Sequence, residues 1–463
     1  MLEPARQAAD IAEIAEDVDV VIVGAGVAGL AAALHLTRAG LTTTVLEAGP
    51  NVGGRMSTEK VDGFRLDRVG RLLSTSYPEL RRTPGLNALT LRTFSPGVLL
   101  HSDGHHHRAA APTTPRSARG ALTTARALAS APRLPLARPQ RGAPRPGPLG
   151  GPLDQSRLTA ALARLATTPP DGLLARPDRT AAQSLTTRGL PARTVDGFLR
   201  PLLAALLCDP TLQTSSRCAD LALHSFATGR LCLPEGGADT LPELLAAELP
   251  PGTVHTGVQV TAVSTTAVTT KDHGELTCRA ILLATGARAA AELLPGLRVP
   301  AFHPVTVLHH TTDEPPLAEP ALLLDADRSG PVAHTGVISQ VDPTRAPAGR
   351  VLISSTVLGM PPAAAHLDAT VRAQLARLYG TSTARWELLA VHHEPEAVPA
   401  MPPPHDVRRP VRLLAGLYVC GDHRDTSTLQ GALHSARRAA HALLRDLGAR
   451  PTPWEEPLET AAA

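Results

Sequence analysis

Residues 18–47 read VDVVIVGAGVAGLAAALHLTRAGLTTTVLE. The β-branched run Val18 to Val23 suits a buried strand. It leads through Gly24-Ala25-Gly26-Val27-Ala28-Gly29 into an alanine-rich segment that reads as a helix stopping at Gly40. Leu41 to Glu47 then reads as a second strand. Strand, turn, helix and strand within about 30 residues make a βαβ unit. Gly24 permits the tight turn, Gly26 lets the main chain approach a pyrophosphate with no β-carbon between, and Gly29 lets the helix pack close to the sheet. The start of the helix, with Val27 and Ala28, offers bare N–H groups and the positive end of its dipole. Glu47 is placed to accept from ribose hydroxyls, and its charge disfavours a 2′-phosphate. The stretch predicts a dinucleotide fold of the adenosine-binding kind.

The choice between NAD and FAD lies just downstream, in Ala48-Gly49-Pro50-Asn51-Val52-Gly53-Gly54-Arg55. The glycines let a loop lie across a cofactor, and the Arg55 fork suits phosphate charge, which favours FAD. Near the other end stands Gly416-Leu417-Tyr418-Val419-Cys420-Gly421-Asp422, followed by Thr426 to Leu433. A strand ends in Gly421-Asp422, and Asp422 is placed to accept from a ribityl chain. A helix over Leu429–Leu447 would direct its N-terminus, with Thr428, Leu429, Gln430 and Ala432, at the pyrimidine edge of a flavin. Cys420 reads as a small buried apolar residue.

The whole chain fits this picture. Its 463 residues favour two or three domains, and 43% apolar residues allow a sizeable core. A net charge of +3 and 2% aromatics argue against a nucleic-acid binder. Five scattered cysteines without a C-x-x-C pair argue against a disulfide framework or zinc site and point to a reducing cytoplasm. No apolar run reaches the ~18 residues of a membrane span, and the acidic start lacks the features of a signal peptide. His105-His106-His107 reads as a solvated loop in a proline-rich, arginine-rich stretch, and no metal site is expected. His309-His310 and His392-His393 alternate across strands, so neither pair shares a face. The segment 253–285 reads as a β-meander, and 154–250 as mainly helical.

Taken together, VVIVGAGVAGLAAALHL…VLEAGPNVGGR, DGFRLDRVG at 62–70, LPEGGADTLPELLAAEL and LYVCGDHRDTSTLQGALHSARRAA resemble the flavin-containing amine oxidase superfamily, which also holds protoporphyrinogen oxidases and phytoene-desaturase-like enzymes. The resemblance implies an α/β fold with a discontinuous Rossmann-like FAD-binding domain, a mixed sheet plus a β-meander, drawn from 18–92, 230–299 and 410–450. An α+β substrate-binding domain would comprise 93–229 and 300–409, with a basic proline-rich insertion at 101–152, an N-terminal arm at 1–17 and a tail at 451–463. It implies that Gly70, Arg71 and Leu72 lie beside the isoalloxazine ring, that Val258 or Val260 meets the adenine through its backbone, and that Ala284-Thr285-Gly286 ends a strand near the cofactor. Gly54 and Arg55 remain in the loop over the cofactor.

The chain also departs from the pattern. Ala436 replaces a usual glycine, and the only lysines, Lys60 and Lys271, sit in the wrong places for the lysine that many members use. Candidates for an aromatic cage are few, with Tyr418 in a core strand and Trp386 and Tyr379 unassigned. No cysteine sits where covalent flavin attachment is usual, so noncovalent FAD is expected. The expected activity is an FAD-dependent oxidoreductase that moves a hydride from a mainly apolar small molecule to flavin N5 and passes the electrons to oxygen or another acceptor. Arg71 and Gln430 are the catalytic candidates, each with a structural alternative. The rival readings are a desaturase or isomerase of a polyene or prenyl substrate, docked peripherally on a membrane through the insertion, and a flavin-bearing binding protein without turnover.

Overall fold

The computed structural model describes residues 18–109, 147–361 and 364–450. The expected arm at 1–17, the tail at 451–463 and the middle of the insertion, including the helical patches near 119–131, lie outside the described residues.

The βαβ unit forms as read. Val20–Val23 is a fully buried strand, Val27–Arg38 the helix and Thr43–Glu47 the second strand. They belong to a six-stranded sheet in the order Val254–Thr256, Thr43–Glu47, Val20–Val23, Ala280–Leu283, Leu417–Val419, Arg412–Leu414. All neighbours are parallel except the last pair. A strand buried on both faces reads as a continuous apolar run, as VVIV and AILL do. One face is covered by the alanine-rich helix Val27–Arg38 and the closing helix Leu429–Asp446, whose small residues let the two pack together in one core.

The stretch 253–285 divides where a single meander was expected. Only Val260–Val263, Ala267–Thr270 and Glu275–Thr277 form an antiparallel three-stranded sheet. Val254–Thr256 and Ala280–Leu283 instead pair in parallel with the six-stranded sheet, Ala280–Leu283 fully buried in its middle and Val254–Thr256 partly buried at its edge.

The second layer is a seven-stranded sheet in the order Glu387–Pro399, Phe302–Thr312, Val351–Leu358, Val332–Val337, Leu323–Asp325, Val98–Ser102, His105–Ala109. The pairing is antiparallel throughout except between Leu323–Asp325 and Val98–Ser102. This corrects the loop expected at His105-His106-His107: the tract is the outer strand of a hairpin, with His106 opposite His101 and its Nε2 2.7 Å from the Leu378 carbonyl oxygen. Helices cover this sheet, as expected for 154–250. In Pro152–Thr167 the buried Leu158, Leu162 and Leu165 recur at helical spacing on one face. Arg200–Leu207 and Ser216–Thr228 complete the packing.

Candidate active site

The ends of the parallel strands open into a cleft of about 720 Å³. Its floor is the glycine turn. Gly24 has φ +105°, and its N–H donates to the Leu46 carbonyl at 2.7 Å. A β-carbon on Gly29 would lie 2.0 Å from the Gly24 carbonyl oxygen, whereas one on Gly26 would meet nothing within 4 Å. Gly26 therefore presents bare backbone to the cleft, and Gly29 locks the helix onto the turn. The loop after Glu47 lies on this turn, with the Gly53 N–H donating to the Ala25 carbonyl at 2.9 Å. Glu47 lines the cleft, and its carboxylate is also the hinge of the turn. Oε2 accepts from the Ala25 N–H and Oε1 from the Gly49 N–H, both at 2.8 Å.

Val27, Ala28, Ala48, Gly54, Val258, Val260, Ala284, Thr285 and Gly286 join the lining at this end. The Val258 N–H donates to the Glu47 carbonyl at 2.8 Å, which ties the link between the strands Val254–Thr256 and Val260–Val263 to the turn.

The far wall is built by Arg55, Arg71, Leu72, Gly421, Asp422, Thr428, Leu429 and Ala432. Arg55 grips Asp422 with both guanidinium nitrogens, at 2.9 and 2.7 Å, and also donates to the Ala397 carbonyl at 2.9 Å. The fork read as a phosphate partner is thus engaged with a carboxylate of its own chain. Burial alone would raise the Asp422 carboxyl, but the charge and hydrogen bonds of Arg55 overcome this and hold it below the usual carboxylate range. Gly421, at φ +132°, donates its N–H to Ser435 Oγ at 2.9 Å and turns the chain toward the closing helix. Thr428 caps that helix by accepting from the Gly431 N–H at 3.2 Å, so the helix N-terminus faces the cleft.

Arg71 is held on two sides. Nη1 donates to Cys208 Sγ at 2.9 Å and Nη2 to the Ser427 carbonyl at 2.8 Å.

Three expected contacts fall elsewhere. Gln430 is not in the lining, because its side chain accepts from the Glu79 N–H at 3.0 Å. Gly29 is behind the turn, packed on Gly24 and Ala284. Gly70 faces a separate cavity of about 30 Å³ beyond Leu72. That cavity is walled by Val307, Thr356, His309 and His334 of the large sheet. Burial pushes His309 down to about 3, with His392 adding to the shift, and His334 down to about 4, with Arg71 adding. Both rings are neutral at pH 7, and His334 Nδ1 is buried without a hydrogen bond.

The sequence reading missed Phe302, Glu394, Glu396 and Ala397, which bring the large sheet to the cleft. The two carboxylates recur at period two on one strand, but nothing in their spacing says which sheet they will face. Trp386 and Tyr379 pack on each other behind the large sheet, away from the cleft. Lys60 and Lys271 are exposed on surface hairpins.

The family model for flavin-containing amine oxidoreductases matches residues 27–444. The chain belongs to this family. Membership makes it a flavoprotein oxidoreductase, and the bare Gly26 backbone and the two helix N-termini at the cleft fit FAD as its cofactor. Putrescine oxidase of Kocuria rosea is 42% identical over 100 residues, 20% of each chain. Phytoene dehydrogenase of Streptomyces griseus is 56% identical over 48 residues, 10% of each chain. The alignments with these curated relatives thus span a fifth or less of their length. An oxidoreductase from Methanosarcina mazei shares the fold at a TM-score of 0.68 and 16% identity, covering 91% of this chain and 99% of that one. Among the described residues the cleft lining holds no lysine, and Phe302 is the one aromatic residue there.

Proposed function

We propose that the protein removes two electrons, as a hydride, from a mainly apolar organic substrate and passes them on to oxygen or another acceptor. FAD, when bound, supplies the electron-accepting N5 position. The nucleotide layer, drawn from 18–92, 230–299 and 410–450, would hold the cofactor. Its turn would take the pyrophosphate at Gly24, Gly26, Val27 and Ala28, the ribose at Glu47, and the flavin end at Asp422, Thr428, Leu429 and Ala432.

Arg71 carries the reading. It is a cation pinned at the far wall of a largely apolar cleft, beside a helix N-terminus, where it can hold negative charge on the reduced cofactor or on a substrate carboxylate. Replacing Arg71 with methionine is expected to slow anaerobic flavin reduction roughly 10²–10³-fold while FAD content stays near one per chain. An unchanged reduction rate would remove Arg71 from the chemistry.

The substrate class is read from the aliphatic part of the cleft lining, with Val23, Val27, Leu46, Leu72, Leu293 and Leu429. With these side chains and, among the described residues, one aromatic ring and no lysine, the lining favours a C–H or C–N donor buried by aliphatic contacts over a small amine held in an aromatic cage. The same features favour a polyene desaturase as the second reading. Anaerobic bleaching of the flavin band against amines, porphyrinogens and polyenes separates these classes, and a flavin that no class reduces would favour the binding protein without turnover.

None of the five cysteines lines the cleft, which supports noncovalent FAD. Acid precipitation is expected to leave the yellow colour in the supernatant, and a yellow pellet would contradict it. The five free thiols also support a cytoplasmic setting. No helix among the described residues is long and apolar enough to cross a membrane.

A further inference from the structure

Outside the cleft lining, the parallel strands Val98–Ser102 and Leu323–Asp325 end side by side, with His101 directly opposite Asp325 in register. Asp327 stands in the turn just beyond. One potential ligand atom from each of these three side chains lies within 4.8 Å of the other two.

Asp325 is 3% exposed and His101 8%. Both carboxylates are fixed from behind. Asp325 Oδ1 accepts from the Asp327 N–H at 3.1 Å. Its Oδ2 accepts from the Ser329 N–H and Oγ at 2.8 Å and from Gln374 Nε2 at 2.7 Å. Asp327 Oδ1 accepts from Ser102 Oγ at 2.7 Å, and Oδ2 from the Asp103 N–H at 2.9 Å. A carboxylate oxygen that accepts one hydrogen bond keeps a second lone pair, so Asp325 Oδ1 and both Asp327 oxygens can still bind a ligand.

Several described imidazoles carry a buried ring nitrogen without a hydrogen-bond partner, and His101 is the one of them within this trio. His101 Nδ1 is buried and has no hydrogen-bond partner, in a place where an unsatisfied polar atom is costly. Its neighbour His106 cannot supply one. That ring packs edge-on to His101 at 5.9 Å and turns its Nε2 to the Leu378 carbonyl.

We propose that His101, Asp325 and Asp327 bind a divalent first-row cation of the Zn²⁺ or Mn²⁺ class. One imidazole and two carboxylates suit such an ion. Ligand atoms bound at about 2.1 Å around a tetrahedral ion are about 3.4 Å apart, so the trio closes on it with side-chain movements on the order of 1 Å. The exposed Asp327 side leaves room for water ligands. Arg377 is the opposing charge: its Nη2 donates to the Ser329 carbonyl at 3.1 Å, and it weakens the site without occupying it. The ion would clip the hairpin Val98–Ala109 to the rest of the large sheet, a structural role independent of electron transfer.

The test uses the FAD-loaded protein freed of metal by chelation, with equilibrium dialysis against Zn²⁺ and Mn²⁺ and thermal unfolding in parallel. One bound equivalent and a raised Tm are expected for either ion. His101→Ala and Asp327→Asn should each weaken binding by more than about tenfold and abolish the Tm shift. His105→Ala, at an exposed ring on the same hairpin, should leave both unchanged and so separates the site from adventitious binding to the histidine tract. A wild-type protein that takes up no equivalent overturns the proposal, as does undiminished binding in both variants. If His101→Ala does not fold, the exposed Asp327→Asn decides alone.

Discussion

Replacing Gly29 with alanine is expected to give a protein that is less stable and retains little FAD. The added methyl would sit 2.0 Å from the Gly24 carbonyl oxygen and 3.1 Å from the Ala284 β-carbon. Neither neighbour is a flexible side chain that can swing away, so the helix Val27–Arg38 must lift from the turn. Overpacking of this kind costs about 1–3 kcal/mol. Where the displacement falls on the backbone proposed to hold the phosphates, the same energy lowers FAD affinity roughly 5- to 150-fold. Gly26→Ala is the matched control. Its β-carbon meets no protein atom within 4 Å, and its φ of −71° suits any residue. That variant should keep the Tm of the FAD-free protein and lose affinity only, because its methyl enters the cleft itself. Thermal unfolding without FAD, together with FAD titration, measures both. Equal Tm and equal affinity for Gly29→Ala and wild type would show that close packing at this glycine does not shape the site.

These glycines were legible because their physics is local. Turn, helix dipole and acid all fall within residues 18–47, and the strand and helix at the other end announce themselves in the same way. What stayed hidden depends on pairs far apart in the chain. Arg55 and Asp422 were each singled out, but not as partners, since 367 residues separate them and both were assigned to the cofactor. Gln430 follows a lining residue by one position, and one step along a helix turns a side chain by about 100°, which sends it to Glu79. The histidine tract misled by composition: flanking prolines and arginines suggest a loop, yet the hairpin register with Val98–Ser102 makes it a strand. Leu429 and Thr428, by contrast, fall where the helix start had to put them.

The largest loss of stability is expected from Arg345→Met. Arg345 is 1% exposed and lies at the joint between the two layers. Nη1 donates to Asp67 Oδ2 at 2.6 Å, Nε to Asp342 Oδ2 at 3.1 Å and Nη2 to the Pro234 carbonyl at 2.8 Å. Asp67 in turn takes the Thr58 hydroxyl and the Ala238 N–H, and Asp342 takes the Gly236 N–H, so one cation organises the strand Phe64–Asp67, the glycine loop 236–237 and the link between the strands Val332–Val337 and Val351–Leu358 of the large sheet. Methionine fills similar space but strands two buried carboxylates. Breaking a buried pair from one side costs about 3–5 kcal/mol, which thermal or urea unfolding at pH 7 will register. The pH dependence distinguishes this cause from simple misfit. In the wild type, burial raises the Asp67 carboxyl but Arg345 and the hydrogen bonds reverse the shift, so its pKa falls below that of the unfolded chain. That contribution is present above the unfolded pKa near 4 and is lost as the pH drops through the folded value. Without the cation, burial leaves the carboxyl raised above its unfolded pKa, and its penalty is greatest at neutral pH and relieved as acid protonates it. The stability gap between Arg345→Met and wild type should therefore narrow from pH 7 toward pH 5. A gap that stays constant over that range would assign the loss to packing and leave the buried charges out of it.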